Sequence, residues 1–343
     1  MLQGSEDQPM TMLLVTLKAD AANRAAVEEA VRDFGIDAGD EACQVVFLSD
    51  LGADERAGAL RQATVIFSHN TAKELEPDEM ALIEGVRLLQ FISAGVDFIP
   101  LEGLPADLPI ACNGGAYAEP MAEHGMAMTL SAMKRLFIEQ AKLADGTFDQ
   151  FRRNRMLAGS TCGILGFGGI GIATARLMKA LGANVHAINR RGASDEPVDW
   201  IGTDAQLDQM LAACDVVVLS LPLTPETAGV IGARELSLMK ADAVLVNLAR
   251  GEIIDEEALY AHLKANSEFT ACIDAWWTEP VRHGHFSMRF DFLSLPNVIA
   301  SPHNSASVFG WRKVAVRRAI ENIARVLAGE EPRHLVPSRD RMM

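Results

Sequence analysis

Short, continuously apolar runs alternate with helical stretches along almost the whole chain, and this alternation constrains the fold more than any other feature. A strand apolar on both faces has to be covered on both faces, which calls for parallel sheets flanked by helices. In the first part, "TMLLVTL" (11–17), "CQVVFLS" (43–49), "ATVIFS" (63–68), "LLQFIS" (88–93) and "LPIACN" (108–113) read as strands. A helix with Val27, Ala30, Val31 and Phe34 on one face follows the first of them. A second series begins at Thr161, with strands expected at 161–165, 184–188, 215–219, 243–248, 269–273 and 297–300. Between the two series, residues 119–144 read as one long helix, rich in Ala and Met on almost every side. Such a helix is expected to be buried all round, and a place between two domains would achieve that. A last long helix, 305–328, lines up Val308, Trp311, Ala315, Ala319 and Ile323. A chain of 343 residues has room for about two domains.

The second series opens with "TCGILGFGGIG", an apolar strand running into Gly166, Gly168 and Gly171, with Gly169 and Ile170 between the last two. The helix that follows is expected to bury Ile170, Ala173, Leu177 and Leu181. The first glycine permits a tight turn, the second lets backbone approach a pyrophosphate, and the third lets helix and strand pack closely. The helix N-terminus adds amide donors and positive potential. A bare glycine pattern is a weak signal, but a strand before it, a helix after it and a second strand at 184–188 make it a strong one. That second strand should end at the adenosine ribose, roughly 20 residues past the glycines, where an acid marks NAD. This chain has Asn189, Arg190 and Arg191 there. The asparagine removes the repulsion of a 2′-phosphate, and two arginines can pair with one. NADP(H) is therefore favoured, and NAD(H) stays open.

The net charge of −15, without a long basic run, disfavours nucleic acid and anionic membrane as partners. A small anion is still compatible, because one buried arginine can govern a pocket. No apolar run approaches the ~20 residues of a membrane-spanning helix. The polar start, "MLQGSEDQPM", argues against a secretory signal and reads as a loose tail. Five scattered cysteines, Cys43, Cys112, Cys162, Cys214 and Cys272, have no paired spacing and are expected to be reduced core residues of a cytoplasmic protein.

Three later segments each set polar residues just after a strand. "AVLVNLARGEIIDEEAL" supplies Arg250, "TACIDAWWTEP" supplies Asp274 and Glu279, and "NVIASPHNSAS" supplies His303. Ligands of doubly wound sheets bind at the carboxyl ends of the strands, so these residues should gather at the edge that carries the glycine turn. Singly, each has an ordinary structural explanation. Jointly, an Arg, a Glu and a His beside a nicotinamide make a hydride-transfer site.

With these residues in place, the chain resembles the D-isomer-specific 2-hydroxyacid dehydrogenase family, from about residue 60 to 328. The likeness rests on "SAGVD" (93–97), "NGGAYAEPMAEHGMAM" (113–128), "GILGFGGIG" (163–171) and "LSLPLTPETAGVI" (219–231). It continues through "LVNLARGEIIDEEAL" (245–259), "DAWWTEP" (274–280) and "LPNVIASPHNSA" (295–306). The resemblance implies an α/β fold of two doubly wound parallel-sheet domains. A flavodoxin-like substrate domain, 1–113 plus 305–343, would hold an inserted Rossmann cofactor domain, 114–304. By the same resemblance, Arg250 binds the substrate carboxylate and polarises the carbonyl, His303 is the acid/base and Glu279 its partner. Backbone at Ala94, Gly95 and Val96 also holds the carboxylate. Asp274 contacts the nicotinamide amide, and Leu221, Pro222, Thr227, Ala249 and His303 complete the cofactor contacts.

The chemistry is consistent with those roles. Glu279 would favour the imidazolium of His303 and keep a proton available near neutral pH. The guanidinium fork of Arg250 matches a planar carboxylate, which a lysine cannot do. A small anionic 2-keto acid is the expected substrate, of the glyoxylate or hydroxypyruvate type, and the resemblance implies a homodimer. An NAD(H)-sensing corepressor-like binding protein, or a dehydrogenase of another small anion such as phosphite, are the alternatives. Formate oxidation is disfavoured, since Glu279 stands where formate dehydrogenases carry glutamine. The chain departs from the family in the long 281–295 connection, in the pair Trp276 and Trp277, and in residues 1–10. His283 and His285 lack a nearby third ligand and read as loop residues, with no metal expected.

Overall fold

A computed structural model of the chain describes residues 11–37, 43–101, 103–338 and 341. The predicted tail at residues 1–10 lies outside the described residues. The chain divides into two compact units, Met1–Ala116 with Phe309–Met343, and Tyr117–Val308.

The first unit is built on strands β1 (Met12–Val15), β2 (Gln44–Phe47), β3 (Val65–Ser68), β4 (Leu88–Phe91) and β5 (Ile110–Ala111). They form one five-stranded sheet in the order β2-β1-β3-β4-β5, parallel throughout. This is the 2-1-3-4-5 order of flavodoxin-like sheets. Every residue of β1, β3 and β4 is buried, as expected of a parallel sheet covered on both faces. The helix Ala21–Asp33 starts where the Asp20 side chain accepts a hydrogen bond from the Asn23 amide, and it packs against the helix Trp311–Leu327. That last helix begins six residues later than its apolar pattern suggests. Gly310, in left-handed backbone at φ 75°, sets the start, and Val308 falls outside it with half its surface exposed. Ala315, Ala319 and Ile323 are fully buried, as expected.

The second unit contains β6 (Thr161–Leu165), β7 (Asn184–Ile188), β8 (Trp200–Gly202), β9 (Val216–Leu219), β10 (Val244–Asn247), β11 (Thr270–Ile273) and β12 (Val298–Ala300). These form a seven-stranded sheet, β12-β11-β10-β9-β6-β7-β8, again parallel at every pairing. Read from β8, the order is the 3-2-1-4-5-6 of a Rossmann sheet with one strand added, and its topological switch point lies between β6 and β9.

Two sequence expectations fail here. Residues 119–144 are not one helix but two, Ala118–Met133 and Leu136–Ala144. Arg135 interrupts them with left-handed backbone, φ 56°. The returning chain closes the first helix, because the Arg155 amide donates to the Met133 carbonyl at 3.1 Å. The second helix buries none of its residues. Leu136, Phe137 and Leu143 are all more than half exposed, the opposite of the burial on every side expected of this stretch. The helix Gly169–Ala180 also presents a different face from the one expected. It buries Gly171, Thr174, Ala175 and Met178, while Ile170, Ala173 and Leu177 are only half-buried and Leu181 is 46 % exposed. The helix Ala118–Met133 packs along it, and small side chains permit that approach.

Candidate active site

The glycine turn follows β6 directly and lies at the switch point. Gly166 has φ 99°, and a Cβ there would lie 2.6 Å from the Leu221 backbone nitrogen. The segment leaving β9 therefore runs against the turn, held by a 2.8 Å hydrogen bond from the Ser220 hydroxyl to the Gly166 carbonyl. A Cβ on Gly171 would come within 2.5 Å of the Gly166 oxygen, so helix and strand are as close as the motif implies. At Gly168 the same test meets nothing within 4 Å. The middle glycine therefore faces open space, which leaves room for a pyrophosphate to approach backbone.

Past β7, the Asn189 side chain folds the turn that follows. Its Oδ1 accepts from the Arg191 amide at 3.0 Å, and its Nδ2 donates to the Ala193 carbonyl at 2.9 Å. Arg190 and Arg191 are exposed on that turn. Thr227 clips the loop after β9, donating to the Pro222 carbonyl at 2.7 Å and accepting from the Thr224 amide at 2.8 Å.

Arg250 is three residues past the end of β10, on a loop shaped by Asn247. The Asn247 side chain donates to the Arg250 carbonyl at 2.8 Å and accepts from the Ala249 amide at 3.0 Å. One Arg250 nitrogen, Nη1, donates to the Ala249 carbonyl at 2.8 Å. Gly251 lets this loop lie on the next one, since a Cβ would sit 2.3 Å from the Trp276 carbonyl carbon and the Trp277 nitrogen.

His303 follows β12 and takes left-handed backbone, φ 50°, which a histidine keeps only under constraint. Its Nδ1 is 2.8 Å from both carboxyl oxygens of Glu279. Glu279 is buried and its Oε1 also accepts from the Trp276 amide at 2.7 Å. Burial alone would raise this carboxyl. The hydrogen bond and charge of His303, the Trp276 amide and Arg250 outweigh it and hold Glu279 below its ordinary value. The pair fixes the ring through Nδ1 and leaves Nε2 for proton exchange with a bound oxygen.

Asp274 follows β11 and is fully buried. Its carbonyl accepts from the His303 amide at 2.9 Å. Arg250, Glu279, Asp274 and His303 thus gather at the carboxyl ends of adjacent strands in one unit. Ala94, Gly95 and Val96 belong to the other unit, in the loop that follows β4, and Val96 is 8 % exposed.

The departures noted in the sequence also have structural explanations. Trp276 and Trp277 both pack, with their indole nitrogens donating to the Ser301 and Ile254 carbonyls at 2.9 and 2.7 Å. His283 Nδ1 accepts from the Glu279 amide at 3.0 Å, and His285 Nδ1 is 3.0 Å from the His283 carbonyl. Sequence reasoning missed His124 and Ser301. His124 Nε2 is 2.9 Å from the Ser301 hydroxyl, which donates to Asp274 Oδ1 at 2.6 Å. The quoted match "AEHGM" contained the histidine, but nothing in its helical spacing tied it to a strand end 177 residues away.

Comparison with known proteins points the same way. The family model described as D-isomer specific 2-hydroxyacid dehydrogenase, NAD binding domain, matches residues 126–305. The D-3-phosphoglycerate dehydrogenase of Methanocaldococcus jannaschii is 30 % identical over 303 residues, covering 87 % of this chain and 56 % of that protein. The glyoxylate reductase of Thermococcus gammatolerans is 38 % identical over 178 residues, 52 % of each chain. The matched stretch thus spans about half the length of these relatives. A D-isomer specific 2-hydroxyacid dehydrogenase from Xanthobacter autotrophicus Py2, solved with NADPH and MES, superposes with a TM-score of 0.76. It is 22 % identical, and the match covers 96 % of this chain and 99 % of that one. Fold, glycine turn and family model together place this chain in the D-isomer specific 2-hydroxyacid dehydrogenase family.

Proposed function

We propose that the chain is an NAD(P)-dependent oxidoreductase that interconverts small 2-keto and D-2-hydroxy acids, with NADP(H) favoured and glyoxylate or hydroxypyruvate as the substrate type. The observation that carries this reading is the buried Glu279 bound to His303 Nδ1 at 2.8 Å, with Arg250 adding its attraction. The glycine turn fits a dinucleotide, because Gly168 faces open space where a side chain would intrude. When bound, the nicotinamide supplies or takes the hydride.

The rest is the work of the chain's own residues. Arg250 donates two parallel hydrogen bonds to the substrate carboxylate and draws charge from the adjacent carbonyl. In reduction His303 gives the carbonyl oxygen a proton from Nε2, and in oxidation it takes one back. Glu279 holds the ring through Nδ1. In this reading the unit that carries Ala94, Gly95 and Val96 is the substrate domain. Arg190 and Arg191, on the turn that Asn189 folds, pair with the 2′-phosphate. A homodimer is part of the same reading through the family.

Steady-state reduction of glyoxylate, hydroxypyruvate, pyruvate and phenylpyruvate, each with NADPH and with NADH, tests this. The expected result is a higher kcat/KM with NADPH and with glyoxylate or hydroxypyruvate. Preference for NADH would remove the arginine pair from cofactor choice. No turnover of any acid would remove the reaction.

A further inference from the structure

Asp274 is fully buried, yet only one of its carboxyl oxygens has hydrogen-bond partners among the described residues. Oδ1 accepts from the Ser301 hydroxyl at 2.6 Å and from the Asn304 amide at 3.2 Å. Oδ2 is buried with no hydrogen-bond partner among the described residues. Leaving a buried acceptor unpaired is costly, so an orphaned oxygen at the carboxyl ends of the strands points to a donor that arrives with a ligand.

The other side of the carboxyl is closed by a directed chain. A serine hydroxyl has one hydrogen, and Ser301 spends it on Asp274. Its oxygen must therefore accept at the 2.9 Å contact with His124, which puts a proton on His124 Nε2. The same Nε2 is 3.7 Å from Asp274 Oδ1. The Ser301 carbonyl is engaged as well, taking the Trp276 indole proton at 2.9 Å. Asp274 is tied in turn to the acid/base residue, because its carbonyl accepts from the His303 amide.

We propose that His124 and Ser301 are positioning residues that orient Asp274 so that Oδ2 receives an N–H from the carboxamide of the nicotinamide ring. This rests on the cofactor reading above. The chain His124–Ser301–Asp274 fixes the carboxyl from behind, while the backbone bond to His303 sets proton donor and ring acceptor in one frame. A primary carboxamide is the group that fits. A ring bearing a carboxylate in its place would set two anions against each other, so a nicotinic-acid dinucleotide should be rejected.

Calorimetric titration of the full chain with four probes tests the proposal: NADH and NADPH, and their counterparts without the ring, ADP-ribose and 2′-phospho-ADP-ribose. Ser301→Ala and His124→Leu should weaken NADH and NADPH by about tenfold, the scale of one hydrogen bond to a charged group. Both ring-free probes should stay within about twofold of wild type, because they never reach Asp274. Ser301→Thr keeps the hydroxyl and His124→Gln keeps a donor near the Nε2 position, so both should restore binding. Unchanged affinity for NADH and NADPH in the two disruptive variants would overturn the proposal. Equal weakening of all four probes would also overturn it, by showing a general loss of the fold. If the wild-type chain bound none of the four, the cofactor reading itself would fail and this inference with it.

Discussion

His303 shows how one residue carries both strain and chemistry. Its left-handed backbone, φ 50°, costs on the order of 1–3 kcal/mol, and such strain persists where the surroundings over-determine it. The Asp274 carbonyl and both Glu279 oxygens supply that constraint. Replacing Glu279 with glutamine keeps an acceptor for the Trp276 amide but removes the anionic partner. Glu279→Gln should lower kcat by up to about 10²-fold through a misplaced ring, with the KM of the keto acid little changed. Steady-state kinetics check this, and an unchanged kcat would make the pair structural only. At the cofactor, the double variant Arg190→Ala with Arg191→Ala should raise the KM for NADPH by about 10- to 100-fold, the loss of one hydrogen bond between charged groups. The KM for NADH should stay put. Arg250, Glu279 and His303 were legible because each follows an apolar run that could only be a strand. His124 and Ser301 were not, because their meaning lies in a contact between distant segments.

At the scale of elements, loops that lie on each other matter more than their lengths. The Arg250 loop rests on the Trp276–Trp277 backbone at Gly251, where an added Cβ would meet main-chain atoms at 2.3 Å. Backbone cannot yield as a flexible side chain can, so Gly251→Ala should destabilise the chain by about 1–3 kcal/mol and lower kcat by displacing Arg250. A denaturation midpoint and kcat equal to wild type would show that the loop has slack. Strands with continuous apolar runs were read closely, and β6 and β7 end where the pattern ends. β8, three residues including Trp200 and Gly202, was missed because no apolar run marks it. The break between Met133 and Leu136 escaped for a related reason. Lys134 and Arg135 are good helix formers, and only the returning Arg155 amide reveals that the helix stops there.

For the whole molecule, each unit contains a carboxylate held by a cation. Glu79 binds Arg56 through both oxygens, at 2.7 and 2.6 Å, and this holds its carboxyl below the ordinary glutamate value. In the other unit Asp215 is desolvated by burial, but Lys240 and the Thr161 amide outweigh that and lower it. Glu279 is lowered as well. A group depressed in the folded state contributes stability above its unfolded value and loses it as pH falls through the folded one. Burial also holds His186 and His262 below their ordinary value, so stability should begin to fall below about pH 6.5 and fall further once the pH passes below the ordinary glutamate value of about 4.5. Urea midpoints across that range check this, and a midpoint unchanged at pH 3 would contradict it. The two-unit organisation was legible because two alternating series flank one helical stretch, whereas the strand order within each sheet became visible only in the fold. The central claim is that His303, braced by Glu279, exchanges the proton that accompanies hydride transfer. The direct test is kcat for glyoxylate and hydroxypyruvate reduction by wild type and His303→Ala, with cofactor affinity and melting temperature measured alongside. A fall of about 10²–10⁴-fold in kcat with both controls intact is the predicted result, and turnover retained at the wild-type rate would contradict it.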